Sequence, residues 1–133
     1  MTAHDIWIKP TPEQLVDALS DARSLIQAGW TQRQAHAVID GRDCYCAMGA
    51  IAEVSGTLRI AYPVMWDRRV EVPGEVVPGA WIRDAVTAAV LAALPPRFGT
   101  IAAYNDQPAR TSAEMVALFN SAISIARRVA VTV

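Results

Sequence analysis

The sequence has little of what disulfide-linked, membrane-spanning or exported proteins require. Its two cysteines, Cys44 and Cys46, are separated by a single residue, a spacing too short for easy bridging. The most apolar stretch, residues 85–94, is about half the roughly 20 residues needed to cross a bilayer, and Pro95-Pro96 ends it. Met1–Pro10 lacks the basic and then apolar pattern of a secretory signal. We therefore expect a reduced, cytoplasmic protein with no membrane attachment.

The chain also lacks an excess of charge of either sign. Twelve basic and 13 acidic side chains give a formal net charge of -1, which disfavours nucleic-acid binding. The only doubled basic residues are Arg68-Arg69 and Arg127-Arg128, and two pairs do not form a stripe that could follow a phosphate backbone. Hydrophobic residues make up 53% of the 133, so the composition is that of a folded chain, and the length fits one domain over residues 1–133.

Several motifs of catalysis and metal binding are missing. There is no glycine-rich phosphate loop, no Gly-x-Ser-x-Gly turn and no His-Glu-x-x-His pair. A metal site would combine Cys44, Cys46 and His36 with a fourth ligand such as Asp43, but Cys-x-Cys is not the Cys-x-x-Cys spacing of structural zinc sites. We expect no metal and no cofactor.

The sequence contains clear helix patterns near both of its ends. Thr11-Pro12-Glu13-Gln14 predicts a capped helix start, and apolar residues from Leu15 to Ile26 recur at helical spacing until Gly29, which we expect to be a left-handed stop. Thr111-Ser112-Ala113-Glu114 predicts a second capping box and a last helix reaching about Val129. The apolar stripe of that helix comprises Met115, Leu118, Phe119, Ala122 and either Ile125 or Ala126.

Between these helices the sequence predicts shorter elements. Asp40-Gly41 between two β-prone runs indicates a hairpin, followed by a helix from Cys46 to Val54 that stops at Gly56. A buried helix is expected over Ala80–Leu94, and a helical turn over Thr100–Tyr104. The side of the first of these that we expect to be buried comprises Trp81, Ala85, Ala88 and Ala92, extended by Val86, Val90 and Leu94. Residues 57–79 predict a long irregular insertion. The expected fold is mainly α, a compact bundle of about four helices with a small β-hairpin.

Several short motifs together resemble a small bacterial and phage family of unknown function that is common in actinobacteria. They are Gly29-Trp30, Asp40-Gly41, Cys46-Ala47-Met48-Gly49-Ala50, Ile101-Ala102-Ala103-Tyr104-Asn105-Asp106 and Arg110-Thr111. Tyr104 stands where the family usually has Trp. The resemblance covers most of the chain except residues 57–79. It implies a compact helical domain and carries no established activity.

Cys46 is the residue with the clearest potential for chemistry. At a helix N-terminus, free N–H groups and the helix dipole can lower the pKa of a thiol and favour the thiolate. His36 could act as its base, with Asn105 or Asp106 orienting the imidazole. The alternative is a cysteine buried for packing among small residues, with His36 as a solvated or capping side chain. We favour packing over catalysis.

Candidate binding residues lie on two connectors. Tyr104, Asn105, Asp106 and Arg110 form a polar link between helices that could recognise a ligand near Cys46 and Trp30. They could equally satisfy helix-end backbone groups, with Asp106 paired to Arg110. Tyr62 and Trp66 in the insertion could contact a partner or anchor the loop.

These observations predict a small non-catalytic accessory protein that works through protein contacts or self-association. Its partner would be an unknown protein or a second copy of the chain. The first alternative is a thiol-dependent hydrolase or transferase using Cys46, and the second is a nucleic-acid-binding protein.

Overall fold

The computed structural model describes residues 10–56 and 80–132, and within these ranges the chain is mainly helical with one β-hairpin. The expected fold class is confirmed. The insertion predicted over residues 57–79 lies outside the described residues. The helices are α1 (Pro12–Ala28), α2 (Ala47–Val54), α3 (Ala80–Ala93), α4 (Ile101–Asn105) and α5 (Ser112–Thr132), and the strands are β1 (His36–Ile39) and β2 (Arg42–Tyr45).

Helix α1 begins with the capping box that the sequence predicts. The hydroxyl of Thr11 accepts the N–H of Gln14 at 3.1 Å, and the Gln14 side chain accepts the N–H of Thr11 at 2.9 Å. The expected left-handed stop at Gly29 is wrong, because this residue is extended, with φ -174°. Glycine is needed there for space. A Cβ on Gly29 would collide with the carbonyl oxygen of Asp43 and lie 2.9 Å from the sulfur of Cys44.

The hairpin forms at the predicted turn. Asp40 and Gly41 both have positive φ, 52° and 73°, which is the conformation that a tight two-residue turn requires. The strands are antiparallel, with Ile39 opposite Arg42. On its other side β2 is held by the chain leaving α1, because the N–H of Tyr45 donates to the carbonyl of Gly29 at 3.0 Å. The hairpin base is therefore fixed to the helical body.

Helix α2 starts directly after β2 and fits closely against the chain before β1. Cys46 is its N-cap, so the helix begins one residue later than the sequence predicts, and Gly56, with a positive φ of 74°, follows its end. A Cβ on Gly49 would overlap the carbonyl group of Ala35. The absence of a side chain at Gly49 therefore allows α2 to lie against this backbone.

Helix α3 exists where the sequence predicts it, and its predicted buried side is confirmed at Val86 and Val90 but not at two of its alanines. Val86 and Val90 are fully buried, whereas Ala88 and Ala92 are exposed. The prediction that Ala88 and Ala92 line the buried side was therefore wrong. Alanine has too little side chain to fix the rotation of a helix, and the larger valines dominate the burial.

The core is shared by all the longer helices, with α1 and α5 in the most extensive contact. Phe119 is its largest fully buried side chain. Of the two candidates near the end of the α5 stripe, Ala126 is buried and Ile125 is half-buried. Among the described helices, none combines the length and apolar character needed to cross a bilayer. The other fully buried large side chains are Leu19, Ile26, Ile51, Met115, Val86, Val90 and Asn105.

Candidate functional site

Asn105, the last residue of α4, lies at the centre of the polar residues that the sequence singles out. Its side chain is almost completely buried, with 1% of the residue exposed. Its Oδ1 accepts the indole N–H of Trp30 at 2.9 Å and the N–H of Ala47 at 3.0 Å. Its Nδ2 donates to the carbonyl of Thr31 at 3.2 Å and to Oδ1 of Asp106 at 2.9 Å. One amide thereby ties α4 to the start of α2 and to the segment after α1.

Two neighbouring residues extend this network and were missed by the sequence reasoning. The Gln32 side chain donates to the carbonyls of Asn105 and Gln107, at 3.0 and 2.7 Å. The backbone N–H of Arg33 donates to Oδ1 of Asp106 at 2.9 Å, and Arg33 has the left-handed φ of 68°. A non-glycine residue in this conformation costs free energy, which the Asp106 bond helps to offset. The sequence carries no signal for either feature beyond a polar stretch.

Cys46 and Asp106 share a shallow, open pocket of about 170 Å³. Most of its wall is apolar. The residues that line it are Arg33, Gln34, Ala35, Cys46, Met48, Ala102 and Asp106. Two members of the predicted Cys–His–Asp set therefore meet at one place, whereas His36 is not among the lining residues. Within residues 10–56 and 80–132, no three His, Cys, Asp or Glu side chains are grouped to hold a metal ion.

The environment of the Cys46 thiol favours its neutral form. Burial raises the pKa of Cys46, and the carboxylate of Asp106 raises it further. Hydrogen bonds from the N–H groups of Gly49 and Met48 act in the opposite direction but are the smaller effect. The sulfur itself accepts the Gly49 N–H at 3.3 Å, which makes it the capping acceptor of α2. The N–H groups at the helix N-terminus do act to lower the pKa of Cys46, as the sequence reasoning suggested, but the effect of burial outweighs them and the pKa is raised.

His36 lies on the hairpin, where its Nε2 is 2.8 Å from Oδ1 of Asp43. Its ring packs at 42° to that of Tyr45, with the ring centroids 5.0 Å apart. These contacts join the two strands on one face of the ribbon. Neither contact involves Cys46. A catalytic role for His36 therefore stays a prediction that these two contacts do not support.

Arg110 stacks on Tyr104 and bonds back to the chain around it. Its guanidinium lies 3.6 Å from the centre of the Tyr104 ring, and its Nε donates to the Tyr104 carbonyl at 2.9 Å. Its Nη1 donates to Oε2 of Glu114 at 2.9 Å, so its ion pair is with Glu114 and not with Asp106 as the sequence suggested. Only 9% of the Arg110 side chain is exposed. Arg110 and Tyr104 therefore brace the turn before α5.

The predicted binding residues thus divide into three groups. Trp30, Asn105 and Asp106 come together in one network, and Tyr104 with Arg110 forms the adjoining stack. Their contacts are structural ones, and whether they also bind a ligand stays a prediction. Tyr62 and Trp66 lie outside the described residues.

The outer half of the hairpin, residues 38–43, is a different kind of surface. All six of its residues are exposed. Val38 is 65% exposed and Ile39 is 45% exposed. Among the residues that the structure describes, Leu91, at 43%, is the one other exposed large hydrophobic residue. Two of the three most exposed large hydrophobic residues in the described ranges are therefore on β1, and neither of them lines the pocket.

A family model described as "Family of unknown function (DUF6197)" matches residues 10–125. The chain belongs to this family. The match spans α1, the hairpin, the pocket, α4 and most of α5, so it includes every described residue of the network around Asn105. No curated protein and no solved structure matches the chain. Membership of DUF6197 therefore agrees with the resemblance and assigns no activity.

Proposed function

We propose that this protein is a non-catalytic accessory protein of bacterial or phage origin that acts through protein contacts in the cytoplasm. The outer half of the hairpin is its contact surface. The two free thiols, Cys44 and Cys46, support a reducing compartment. The bacterial or phage origin rests on the sequence resemblance alone.

The observation that carries the proposal is the exposure of two adjacent large apolar side chains on one short strand. Val38 and Ile39 point to opposite faces of the ribbon because successive side chains alternate along a strand. Folding buries neither of them fully. A partner that pairs with or encloses the ribbon would remove both from water, which is the main favourable term in association.

The contacts in the rest of the site support a structural role for its polar residues. Asn105 uses both its acceptor and its donor groups inside the fold, and Arg110 is engaged with Tyr104 and Glu114. The sulfur of Cys46 caps α2, and burial raises the pKa of its thiol. Groups that already serve the fold are not available to a substrate without cost.

Site-specific photo-crosslinking tests the contact surface. A benzoylphenylalanine is placed at Val38 or, as a matched exposed control, at Leu91, in purified protein and in an extract of a cell that carries the gene. We expect a discrete crosslinked product from position 38 in at least one preparation. Its yield should fall at least tenfold with Ile39→Asp, and position 91 should give none. Equal products from both positions, or none from position 38, would exclude the hairpin as contact surface.

A thiol-dependent enzyme is the second candidate, because Cys46 and Asp106 line one pocket. The test is the rate of alkylation by iodoacetamide as a function of pH, with Cys46→Ser identifying the contribution of this thiol. Since burial raises the pKa of Cys46, less thiolate is present at neutral pH than for an ordinary cysteine. We expect Cys46 to be alkylated more slowly than glutathione at pH 7, and its alkylation rate to keep rising above pH 9. Fast labelling at pH 6 would instead favour the enzyme.

A further inference from the structure

The pocket shared by Cys46 and Asp106 has one charged side chain of each sign on its wall. Arg33 and Asp106 both line it, and the bond from the Arg33 N–H to Oδ1 of Asp106, at 2.9 Å, holds the two residues side by side. The ion pairs found in the described ranges nevertheless join other side chains, so the guanidinium of Arg33 and the carboxylate of Asp106 are not paired with each other. Two opposite charges therefore line one space without neutralising one another.

Both charged groups have bonding capacity that the fold does not use. The bonds that Asp106 accepts from Arg33 and Asn105 both end on Oδ1, and no described residue donates to its Oδ2. The Arg33 side chain is exposed, and within residues 10–56 and 80–132 its guanidinium makes no hydrogen bond or ion pair. A carboxylate oxygen accepts hydrogen bonds and a guanidinium donates them to anions. A ligand can therefore use both groups without breaking a bond of the network around Asn105.

The rest of the pocket wall adds no further charge. Burial raises the pKa of the Cys46 thiol, so this group is neutral at pH 7. Ala35, Met48 and Ala102 supply apolar surface. The volume of about 170 Å³ equals that of about six water molecules at roughly 30 Å³ each. The pocket therefore suits a ligand of about this size that carries one positive charge, one negative charge and a small apolar part.

We propose that the pocket binds a free α-amino acid with a short apolar side chain, such as L-alanine. The ammonium group of the ligand donates to Oδ2 of Asp106, and its carboxylate accepts from the guanidinium of Arg33. The left-handed φ of Arg33 supports a ligand site here, because strained non-glycine residues cluster at functional positions. None of the lining residues belongs to residues 38–43, so this inference goes beyond the contact function and stands or fails independently of it.

Titration of the isotope-labelled, purified protein with L-alanine, followed by backbone amide NMR shifts, tests the binding. The pocket is shallow, so we expect a dissociation constant of about 1 mM, with saturable shifts at Arg33, Met48 and Ala102. L-lactate lacks the ammonium group and L-alaninamide lacks the carboxylate, and each should bind at least tenfold more weakly. Equal binding of the three compounds, or no saturable shift up to about 50 mM L-alanine, would overturn the inference.

The variant Arg33→Gln tests the contact with the carboxylate of the ligand. We expect it to weaken L-alanine binding at least fivefold and to leave L-alaninamide binding within twofold, because the amide has no negative charge to lose its partner. Arg97→Gln, which removes an exposed arginine outside the pocket, is the matched control and should change neither. Equal weakening of both ligands by Arg33→Gln would show a general disturbance of the pocket and would contradict this contact.

The variant Asp106→Asn tests the contact with the ammonium group. Asparagine keeps an oxygen that can accept from the Arg33 N–H and the Asn105 amide, but it removes the negative charge. We expect L-alanine binding to fall at least tenfold and L-lactate binding to stay within twofold, with Asp84→Asn as the exposed control. If Asp106→Asn lowers the melting temperature, Arg33→Gln decides alone. L-alanine binding that survives Arg33→Gln would overturn the inference.

Discussion

At the scale of single residues, Asn105 has the largest number of connections in the candidate site. Its amide joins Trp30, Thr31 and the first turn of α2, which lie 75, 74 and 58 residues away from Asn105 in the sequence. No other residue type of this size offers an acceptor and a donor in the same plane. Replacing it removes bonds while leaving the groups that made them buried.

We expect Asn105→Ala to lower the free energy of unfolding by about 3 kcal/mol, because an indole N–H and a backbone N–H lose their acceptor in a buried place. Urea unfolding followed by tryptophan fluorescence measures the change. Gln107→Ala is the matched control, since the network uses only the backbone carbonyl of Gln107, and it should stay within about 0.5 kcal/mol. If Asn105→Ala changes the free energy of unfolding as little as the control does, the network around Asn105 does not contribute to stability as we expect.

The sequence predicted part of this network. The position of Asn105 in a connector after a short helix suggested that it satisfies backbone groups at helix ends, and its bond to the N–H of Ala47 is of this kind. The partners themselves could not be predicted, because they depend on how segments about 60 to 75 residues apart come together. The left-handed φ of Arg33 has no signature in the sequence, since positive φ normally marks Gly, Asn or Asp.

At the scale of elements, helix α2 is placed by a close approach of its backbone to the residue before β1. Gly49 lies in the first turn of α2, and glycine within a helix usually costs up to about 1 kcal/mol relative to alanine. At this position we expect the opposite, that alanine is less stable than glycine, because a Cβ would overlap the Ala35 carbonyl. That carbonyl also accepts the N–H of Cys46.

We therefore predict that Gly49→Ala destabilises the protein by at least about 2 kcal/mol, as overpacking typically does. Gly99→Ala provides the comparison, because nothing lies within 4 Å of the position of its Cβ. It should be neutral or slightly stabilising. Thermal unfolding of the two variants under one set of conditions measures the difference, and a stabilised Gly49→Ala would contradict the close contact.

Element boundaries were more predictable than element orientations. Thr11 and Thr111 were identified as caps from Thr-x-x-Gln and Thr-x-x-Glu patterns, and both capping boxes are present. On α3 the burial of Val86 and Val90 was predicted, whereas the exposure of Ala88 and Ala92 was not, because the face that is buried depends on contacts with α5, α1 and α2. Patterns within one segment locate its ends well, whereas the face it buries depends on its neighbours.

At the scale of the whole molecule, the longer helices share one core, and Phe119 on α5 lies within it. We expect one cooperative transition in which circular dichroism and tryptophan fluorescence coincide. Phe119→Ala should lower the free energy of unfolding by about 3 to 5 kcal/mol and shift the whole transition. Leu91→Ala, at an exposed position, should cost less than about 1 kcal/mol. Two separate transitions would show that α5 does not hold the described parts together.

The unequal anchoring of the hairpin has a consequence for its motion. Near the base, β2 is bonded on both sides, to β1 and to the segment after α1, so opening it requires breaking bonds to the helical body as well. Toward Asp40-Gly41 the backbone hydrogen bonds found among residues 10–56 and 80–132 are those of the ladder between the two strands. Amide hydrogen exchange should therefore be slow at Tyr45 and become steadily faster toward the turn, so that the ribbon frays from its tip while its root stays closed.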